Sequence, residues 1–215
     1  MGKLQFGPAL KRGWQIFTKD PLNLILGAII AGVLSLTIVL APAMSAGYFY
    51  LTRRVAMGEQ AELGDVFHGF NDFGRYLLGG IIFLLAMIPA YLLSLATAGL
   101  GVIASAVIVG LLLPFWPLMV DRGLSAPDAF KEGIEFYKRE YLAATIIALL
   151  FIVALLFIAR TLEAVSFFVG VLIFFVASPI TAPLTAAIML ATYEQCYGYR
   201  EEAESVREAK FEVGM

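Results

Sequence analysis

Cysteine and histidine are almost absent from this chain, and charge is absent from long parts of it. Among 215 residues there is one cysteine, Cys196, and one histidine, His68. A lone cysteine excludes an internal disulfide and a Cys-x-x-Cys site, and a lone histidine excludes a His-rich metal site within one chain. The sequence also lacks a Gly-rich phosphate loop, a His-Glu-x-x-His pattern and paired carboxylates in its apolar runs. We therefore expect no catalytic residue, no metal and no cofactor.

Four runs contain no Asp, Glu, Lys or Arg: residues 21–52, 76–120, 141–159 and 164–193. A helix needs about 20 apolar residues to cross a bilayer, and the shortest of these runs holds 19. The chain is 60% hydrophobic and 15% charged, whereas a soluble domain is about 45–50% apolar and about 25% charged. We therefore expect an all-α, polytopic membrane protein. A cleaved signal peptide is not expected, because the first run begins only after Asp20 and is too long.

A pattern of sixteen residues occurs three times, each time just before a charge-free run: 7–22 (GPALKRGWQIFTKDPL), 64–79 (GDVFHGFNDFGRYLLG) and 127–142 (PDAFKEGIEFYKREYL). With helical spacing, aromatic residues gather on one face and charged residues on the other. We interpret each copy as a short amphipathic helix lying in the membrane interface; the alternative is a polar loop helix packed on the bundle without lipid contact. The expected interfacial anchors are Trp14, Phe17, Phe67, Phe70, Phe73, Phe130, Phe136 and Tyr137.

The predicted architecture is a bundle of about six transmembrane helices in three hairpin repeats, each preceded by one amphipathic segment. The repeat units lie at about residues 5–57, 64–122 and 125–199, all within one transmembrane domain, 1–199, and a polar tail follows at 200–215. We expect a tight turn at 97–101 and an external turn at 160–163. Residues 21–52 form either one overlong helix or two short ones that turn near Ala41 and Pro42.

Charge favours two helices in this first run. If all three units are hairpins, fourteen of the fifteen Lys and Arg residues lie on one side, and the exception is Arg160. The positive-inside rule places that side in the cytoplasm. We therefore expect a multi-pass protein of a prokaryotic inner membrane with both termini cytoplasmic. Arg53 and Arg54 are expected to extend to the headgroups.

Each second helix of a hairpin carries proline, which interrupts helical hydrogen bonding. A helix break that lines a binding site is one interpretation; kinked packing is the favoured one, because proline is common in membrane helices. The expected breaks are at Pro42, Pro114, Pro117, Pro179 and Pro183.

Short motifs resemble a widespread family of uncharacterised prokaryotic integral membrane proteins, whose nearest named relatives are the membrane domains attached to some glycerophosphodiester phosphodiesterases. The motifs are residues 41–48 (APAMSAGY), 58–59 (GE), 65–70 (DVFHGF), 73–74 (FG) and 124–131 (LSAPDAFK), and more loosely 179–193. The resemblance implies a helical membrane fold with both ends cytoplasmic. It implies no catalytic residue, and the phosphodiesterase domain itself has no counterpart in this sequence.

The charged residues outside the three copies suggest no chemistry. Arg160 and Glu163 are expected to pair in the external turn, and His68 is expected to be solvated. Asp121, Arg122 and Glu194 are interpreted as ordinary charges at helix ends.

Three classes of function were weighed against these features. A non-enzymatic protein, acting as a membrane scaffold, partner subunit or membrane-organising element, is favoured over a transporter or channel for a small apolar or amphipathic solute. An enzyme is the least favoured class. The expected partners are membrane lipids, another membrane protein or a second copy of the chain, and no nucleic acid.

Overall fold

Helices form nearly all of the computed structural model, which describes residues 3–96, 100–164 and 167–199. Within these ranges the structure contains no β-strand, so the all-α prediction is confirmed for the described part of the chain. A 3₁₀ helix, Leu63–Asp72, directly precedes α4. The α-helices are α1 (Phe6–Lys19), α2 (Pro21–Ser35), α3 (Ala41–Met57), α4 (Phe73–Ala96), α5 (Leu100–Leu112), α6 (Phe115–Asp121), α7 (Ala126–Ala164) and α8 (Phe167–Tyr197).

The first two helices meet at a right angle, with 92° between their axes. Asp20 lies at the corner with non-helical backbone angles, and its side chain accepts a hydrogen bond from the backbone N–H of Asn23 at 3.2 Å. Pro21 occupies the first turn of α2, where its missing N–H removes no helical bond. Proline also disfavours helical geometry at the preceding residue, so the Asp20–Pro21 sequence ends α1 and starts α2.

The first charge-free run forms two helices, α2 and α3, joined by a turn at residues 36–40. This confirms two helices rather than one. The turn precedes the predicted position: Ala41 and Pro42 already belong to the first turn of α3. Because proline is accommodated in a first turn, Pro42 marks the start of a helix and not a kink within one.

The other prolines differ in their effect. Pro114 lies at the N-terminal cap of α6, where it separates α5 from α6, and Pro117 follows in the short helix α6. The predicted breaks at Pro179 and Pro183 are wrong, because helix α8 continues through both prolines. The predicted turn at 97–101 falls partly on residues 97–99, outside the described residues, while Leu100 already begins α5.

Helix α7 is 39 residues long and changes direction once, at Glu140, whose φ of −119° and ψ of 24° are not helical. Glu140 lies two residues before the end of the third amphipathic copy, 127–142. The predicted turn at 160–163 is wrong, because α7 continues through Arg160 and Glu163 to Ala164. Arg, Leu and Glu are good helix formers, and the segment contains neither Gly nor Pro to end the helix.

Two helical stretches of the described chain are long and apolar enough to cross a membrane: Leu63–Pro89 and Val102–Asp121. A third is reached if the bent pair α1 and α2 is taken as one span. The sequence therefore has the helices of a membrane protein, and the six predicted crossings are not reached within the described residues.

Candidate functional site

Each amphipathic copy packs closely on a helix from another part of the chain, and a glycine permits the approach. A Cβ added at Gly13 of α1 would lie 2.9 Å from the Ile188 Cα of α8, and one at Gly133 of α7 would lie 2.6 Å from the Leu111 carbonyl oxygen of α5. Real Cβ atoms do not come so close to backbone atoms, so these positions exclude any larger residue. Small residues of this kind bring helix backbones together in membrane bundles.

The 3₁₀ helix packs on α3 in the same manner. A Cβ at Gly69 would collide with the backbone of Ala43, and a Cβ at Gly47 would collide with that of Val66. The first copy thus lies on α8, the second on α3 and the third on α5. Each copy contacts the second helix of the preceding predicted unit, and the first copy closes the ring on the last unit.

Three helices end at a glycine with positive φ: Gly58 after α3, Gly123 after α6 and Gly198 after α8. These φ values, 80°, 65° and 66°, belong to the left-handed region that a Cβ disfavours, and such a glycine ends a helix by turning the chain away. One such end falls in each predicted unit. All three are brought together by the polar contacts described next.

A cluster of charged and tyrosine side chains joins these three helix ends. We call it the polar layer: Arg53 of α3, Asp121 of α6, Arg122 directly after α6, and Tyr193 and Tyr197 of α8. At its centre Arg53 Nε donates to Asp121 Oδ1 at 2.6 Å, and the Tyr193 hydroxyl donates to Asp121 Oδ2 at 2.6 Å. The Asp121 side chain is 1% exposed and that of Arg53 11%. Asp121 therefore joins α6 to α3 and α8 through one buried carboxylate.

Arg122 extends the polar layer toward the end of α8. Its Nε donates to the Tyr193 hydroxyl at 3.1 Å, its Nη2 donates to the Tyr197 carbonyl oxygen at 3.0 Å, and its guanidinium lies 5.1 Å from the centre of the Tyr197 ring. The carbonyls at the end of a helix attract positive charge. Arg122 thereby stabilises the C-terminus of α8 against α6.

Further polar contacts attach the amphipathic copies to the same end of the bundle. In the first copy Arg12 makes two bonds of 2.8 Å to the Glu194 carboxylate. In the second, Asp65 accepts two bonds of 2.8 Å from Arg54 Nη1. In the third, Glu132 accepts from the Tyr197 hydroxyl at 3.0 Å. All three copies therefore lie at the level of the polar layer.

The aromatic anchors divide into exposed and packed side chains. Trp14, which is 56% exposed, and also Phe67 and Phe70 are open to the surroundings of the protein. Phe17, Phe73, Phe130 and Tyr137 are half-buried. The structure differs from expectation at Phe136, which is fully buried in the core and cannot contact lipid. Its position in copy three matches that of Ile16, also fully buried, in copy one.

The exposed aromatics form two patches. In α1 the rings of Trp14 and Phe17 lie 5.7 Å apart. In the second copy Phe70 lies 6.3 Å from Phe67 and 6.0 Å from Phe73, with the rings stacked in both pairs. Tryptophan and other aromatic rings favour the headgroup region of a bilayer.

The histidine and the cysteine are both held by their neighbours. The His68 ring stacks on Tyr50 with 3.7 Å between ring centres, and its Nδ1 is 3.3 Å from the Asn71 amide nitrogen. Cys196 is buried in α8, and burial raises the pKa of its thiol to about 11, with the Glu140 carboxylate adding to the effect. A thiol with this pKa stays protonated at neutral pH and is a poor nucleophile.

A shallow groove of 590 Å³ lies on the outer face of α7. Its charges neutralise one another within the helix: Lys138 lies 2.7 Å from Glu135, and Lys131 lies 3.8 Å from Asp128. The groove is open to its surroundings and holds no buried reactive group. Within the described residues no three His, Cys, Asp or Glu side chains come together as metal ligands.

Sequence reasoning missed the polar layer. Arg53 was expected at the headgroups and Asp121 as an ordinary helix-end charge, whereas the two form a buried ion pair. A signal was present: Arg53 is the first charge after run 21–52, and Asp121 is the first charge after run 76–120. Opposite charges that directly follow the charge-free runs of two repeats indicate that the ends of these two runs lie close together.

The arrangement joins helices and exposes aromatic side chains, and the polar layer pairs Arg53 with Asp121 and places Arg122 against the tyrosines of α8. No family model matches the chain, and no curated protein or solved structure is found to be similar to it.

Proposed function

We propose that this is a non-enzymatic, multi-pass protein of a prokaryotic inner membrane that organises lipids around its cytoplasmic face. In this proposal three helical hairpins enter the bilayer from the cytoplasmic side, and both termini lie in the cytoplasm. The working surface is the belt made by the three amphipathic copies, residues 7–22, 64–79 and 127–142. The resemblance to uncharacterised prokaryotic membrane proteins implies the same helical membrane fold with both ends cytoplasmic.

The observation that carries the proposal is the right angle between α1 and α2 combined with the exposed Trp14 face. If α2 enters the bilayer, a helix at 92° to it lies along the membrane surface. Trp14 then projects from α1 toward the headgroups, while Gly13 and Ile16 face the bundle. An amphipathic helix in this position binds lipid through apolar contact and through charge.

Charge gives the first copy a preferred lipid. Helix α1 contains Lys11, Arg12 and Lys19 and no acidic residue. Arg12 pairs with Glu194, and Lys19 donates to the Ala56 carbonyl oxygen at 2.7 Å. Both side chains are therefore engaged in contacts within the protein. Lys11 lies exposed one helical turn from Trp14. A basic side chain beside an interfacial tryptophan favours anionic phospholipid headgroups by about 1 kcal/mol.

The closed ring of packing supports the three-unit arrangement. Each copy lies on the second helix of the preceding unit, and Asp121 joins all three units at one level. A polar layer at one end of the bundle, with apolar helices beyond it, suits a protein that is fixed in the membrane. We therefore place lipid binding on the amphipathic copies around the polar layer and not in a channel through the bundle.

The test uses fluorescence of Trp14 in reconstituted bilayers, with Trp116→Phe removing the second, buried tryptophan. Lipids brominated near the headgroup should quench Trp14 more strongly than lipids brominated near the chain end. Brominated phosphatidylglycerol should quench it about fivefold more effectively than brominated phosphatidylcholine at equal dilution. Lys11→Gln should remove most of this preference.

Lys131→Gln is the matched control, because Lys131 is an exposed lysine of the third copy whose charge is opposed by Asp128. It should leave the lipid preference of Trp14 unchanged. If no brominated lipid quenches Trp14, α1 lies away from the bilayer and the proposal fails. Equal quenching by both lipid classes would leave the interfacial position standing and refute the preference for anionic lipid.

A transporter for a small apolar solute is the second candidate, favoured by the break between α5 and α6 at Pro114. A broken helix inside a bundle is a common feature of transport sites. Two results together would favour this function over the first. Crosslinking α5 to α7 would abolish solute flux into reconstituted vesicles, and the two classes of brominated lipid would quench Trp14 fluorescence equally.

A further inference from the structure

The turn between α2 and α3 is almost entirely apolar and is exposed. Residues 36–40 read Leu-Thr-Ile-Val-Leu, and the side chains of Leu36 and Ile38 are 76% and 77% exposed. The single polar side chain is Thr37, whose hydroxyl donates to the Leu34 carbonyl oxygen at 2.6 Å. A turn that reached the water beyond the bilayer would expose these apolar side chains at considerable cost.

The base of the hairpin is fixed by polar contacts at the level of the amphipathic copies. The Asn23 amide nitrogen donates to Asp20 at 2.7 Å and to the Ala61 carbonyl oxygen at 3.1 Å. On α3, Arg54 pairs with Asp65 and Glu59. Asn23 and Arg54 therefore mark where the hairpin leaves the headgroup region.

The length from base to tip is too short for a bilayer. Ser35 lies twelve positions after Asn23 on α2, and Arg54 lies thirteen positions after Ala41 on α3, which gives about 18–20 Å at about 1.5 Å per residue. The hydrocarbon core is about 30 Å thick. The helices of the hairpin thus end a few ångströms beyond the midplane and about 10–12 Å short of the far boundary. The turn 36–40 adds only a few ångströms to this reach. Tilting the hairpin shortens its reach further.

We propose that the α2–α3 hairpin is re-entrant: it enters from the cytoplasmic side, turns within the hydrocarbon and returns, and its tip binds the acyl chains of the outer leaflet. This rests on the proposed interfacial position of the amphipathic copies. Backbone groups need partners inside a bilayer, and three of the five N–H groups of the turn have one: Leu36 N–H donates to Val33, Thr37 N–H to Leu34 and Leu40 N–H to Thr37.

The occupant of the tip follows from its chemistry. Within the turn no charge and no unbonded hydroxyl is available to bind a polar group, and the exposed side chains of Leu36, Ile38 and Val39 are aliphatic. Lipids of the outer leaflet must cover the tip over a reduced depth, which thins the bilayer locally. Because a hairpin that does not cross leaves the chain on the side where it entered, both termini keep the same side.

Accessibility gives the first test, on whole cells carrying Cys196→Ala so that the introduced thiol is alone. Thr37→Cys should react with a membrane-impermeant maleimide at less than roughly a tenth of the extent reached after solubilisation in SDS, because the tip lies in hydrocarbon. Full reaction in intact cells would overturn the proposal. The neighbouring side chains are exposed, so shielding by protein does not explain a low extent.

The second test measures the depth of the tip in bilayers by tryptophan quenching. It uses a protein in which Trp14→Phe and Trp116→Phe have removed both native tryptophans. Ile38→Trp should be quenched more by lipids brominated near the chain end than by lipids brominated near the headgroup. Leu22→Trp is the matched control, since Leu22 is also exposed but lies at the hairpin base; it should show the opposite order. Shallow quenching of both positions would refute the re-entrant hairpin alone. Absence of quenching at Leu22→Trp would refute the interfacial position as well.

Discussion

Replacing Asp121 by alanine tests whether the polar layer holds the three units together. The carboxylate of Asp121 accepts from Arg53 Nε and from the Tyr193 hydroxyl, both at 2.6 Å. Its removal leaves the Arg53 guanidinium, 11% exposed, buried without this carboxylate. It also takes an acceptor from Tyr193. The variant should fold less stably because the buried Arg53 guanidinium loses its ion pair with Asp121.

The magnitude follows from the burial of the pair. Removing one partner of a buried ion pair costs about 3–5 kcal/mol. In a protein of this size 1 kcal/mol lowers Tm by about 2–4 °C, so Asp121→Ala should lower it by roughly 6–20 °C. No large solvent discount applies, since the Asp121 side chain is 1% exposed.

The change in Tm is measured by thermal unfolding of each variant in the same detergent. Unfolding is monitored as the loss of the monodisperse peak in size-exclusion chromatography. Lys138→Gln is the control, because its ion pair with Glu135 leaves the two side chains 64% and 60% exposed and should cost less than about 1 kcal/mol. The double variant Arg53→Met with Asp121→Leu should recover most of the loss, since an apolar pair needs no counter-charge. The reasoning fails if Asp121→Ala resembles Lys138→Gln, or if the double variant is as unstable as the single one.

Three other outcomes follow from close packing and burial. Gly69→Val should reduce Tm strongly or prevent folding, because its side chain would collide with the Ala43 backbone, whereas Gly74→Ala, with open space around it, should have little effect; thermal unfolding compares them. Cys196 should resist alkylation by iodoacetamide in the folded protein at pH 8 and react only as the pH approaches its raised pKa of about 11 or after denaturation, as followed by mass spectrometry. Arg12→Gln should cost about 1 kcal/mol and increase amide exchange in α1 more than in α3, because its two bonds to Glu194 attach α1 to α8.

Composition and periodicity predicted the fold class and the three amphipathic segments. Uninterrupted apolar runs are visible in a sequence, and so is the Asp20–Pro21 signal, whose right-angle corner the structure shows. The two helices of run 21–52 were predicted from charge distribution alone. Turn positions were less accurate: α7 continues through residues 160–163, since nothing in that segment ends a helix.

The polar layer could not be predicted in the same way, because it depends on how helix ends from distant parts of the chain meet. Periodicity within one helix does not show that Arg53 faces Asp121, 68 positions away. Amphipathic patterning likewise gave Phe136 the same role as Trp14, although one is fully buried and the other is mostly exposed. An apolar face facing protein and one facing lipid have the same pattern in sequence.

Arg53 connects the polar layer with the depth of the first hairpin. A hairpin that crossed the bilayer would need about 20 residues in each helix, and α3 has only thirteen from Ala41 to Arg53. Moving the tip to the far boundary would draw Arg53 about 12 Å into the hydrocarbon, where a charge costs at least about 2.5–3.5 kcal/mol. It would also separate Arg53 from Asp121, which is held at the end of α6 beside Gly123 and the Arg122 contacts to α8. The ion pair between Arg53 and Asp121 therefore also opposes deeper insertion of the hairpin.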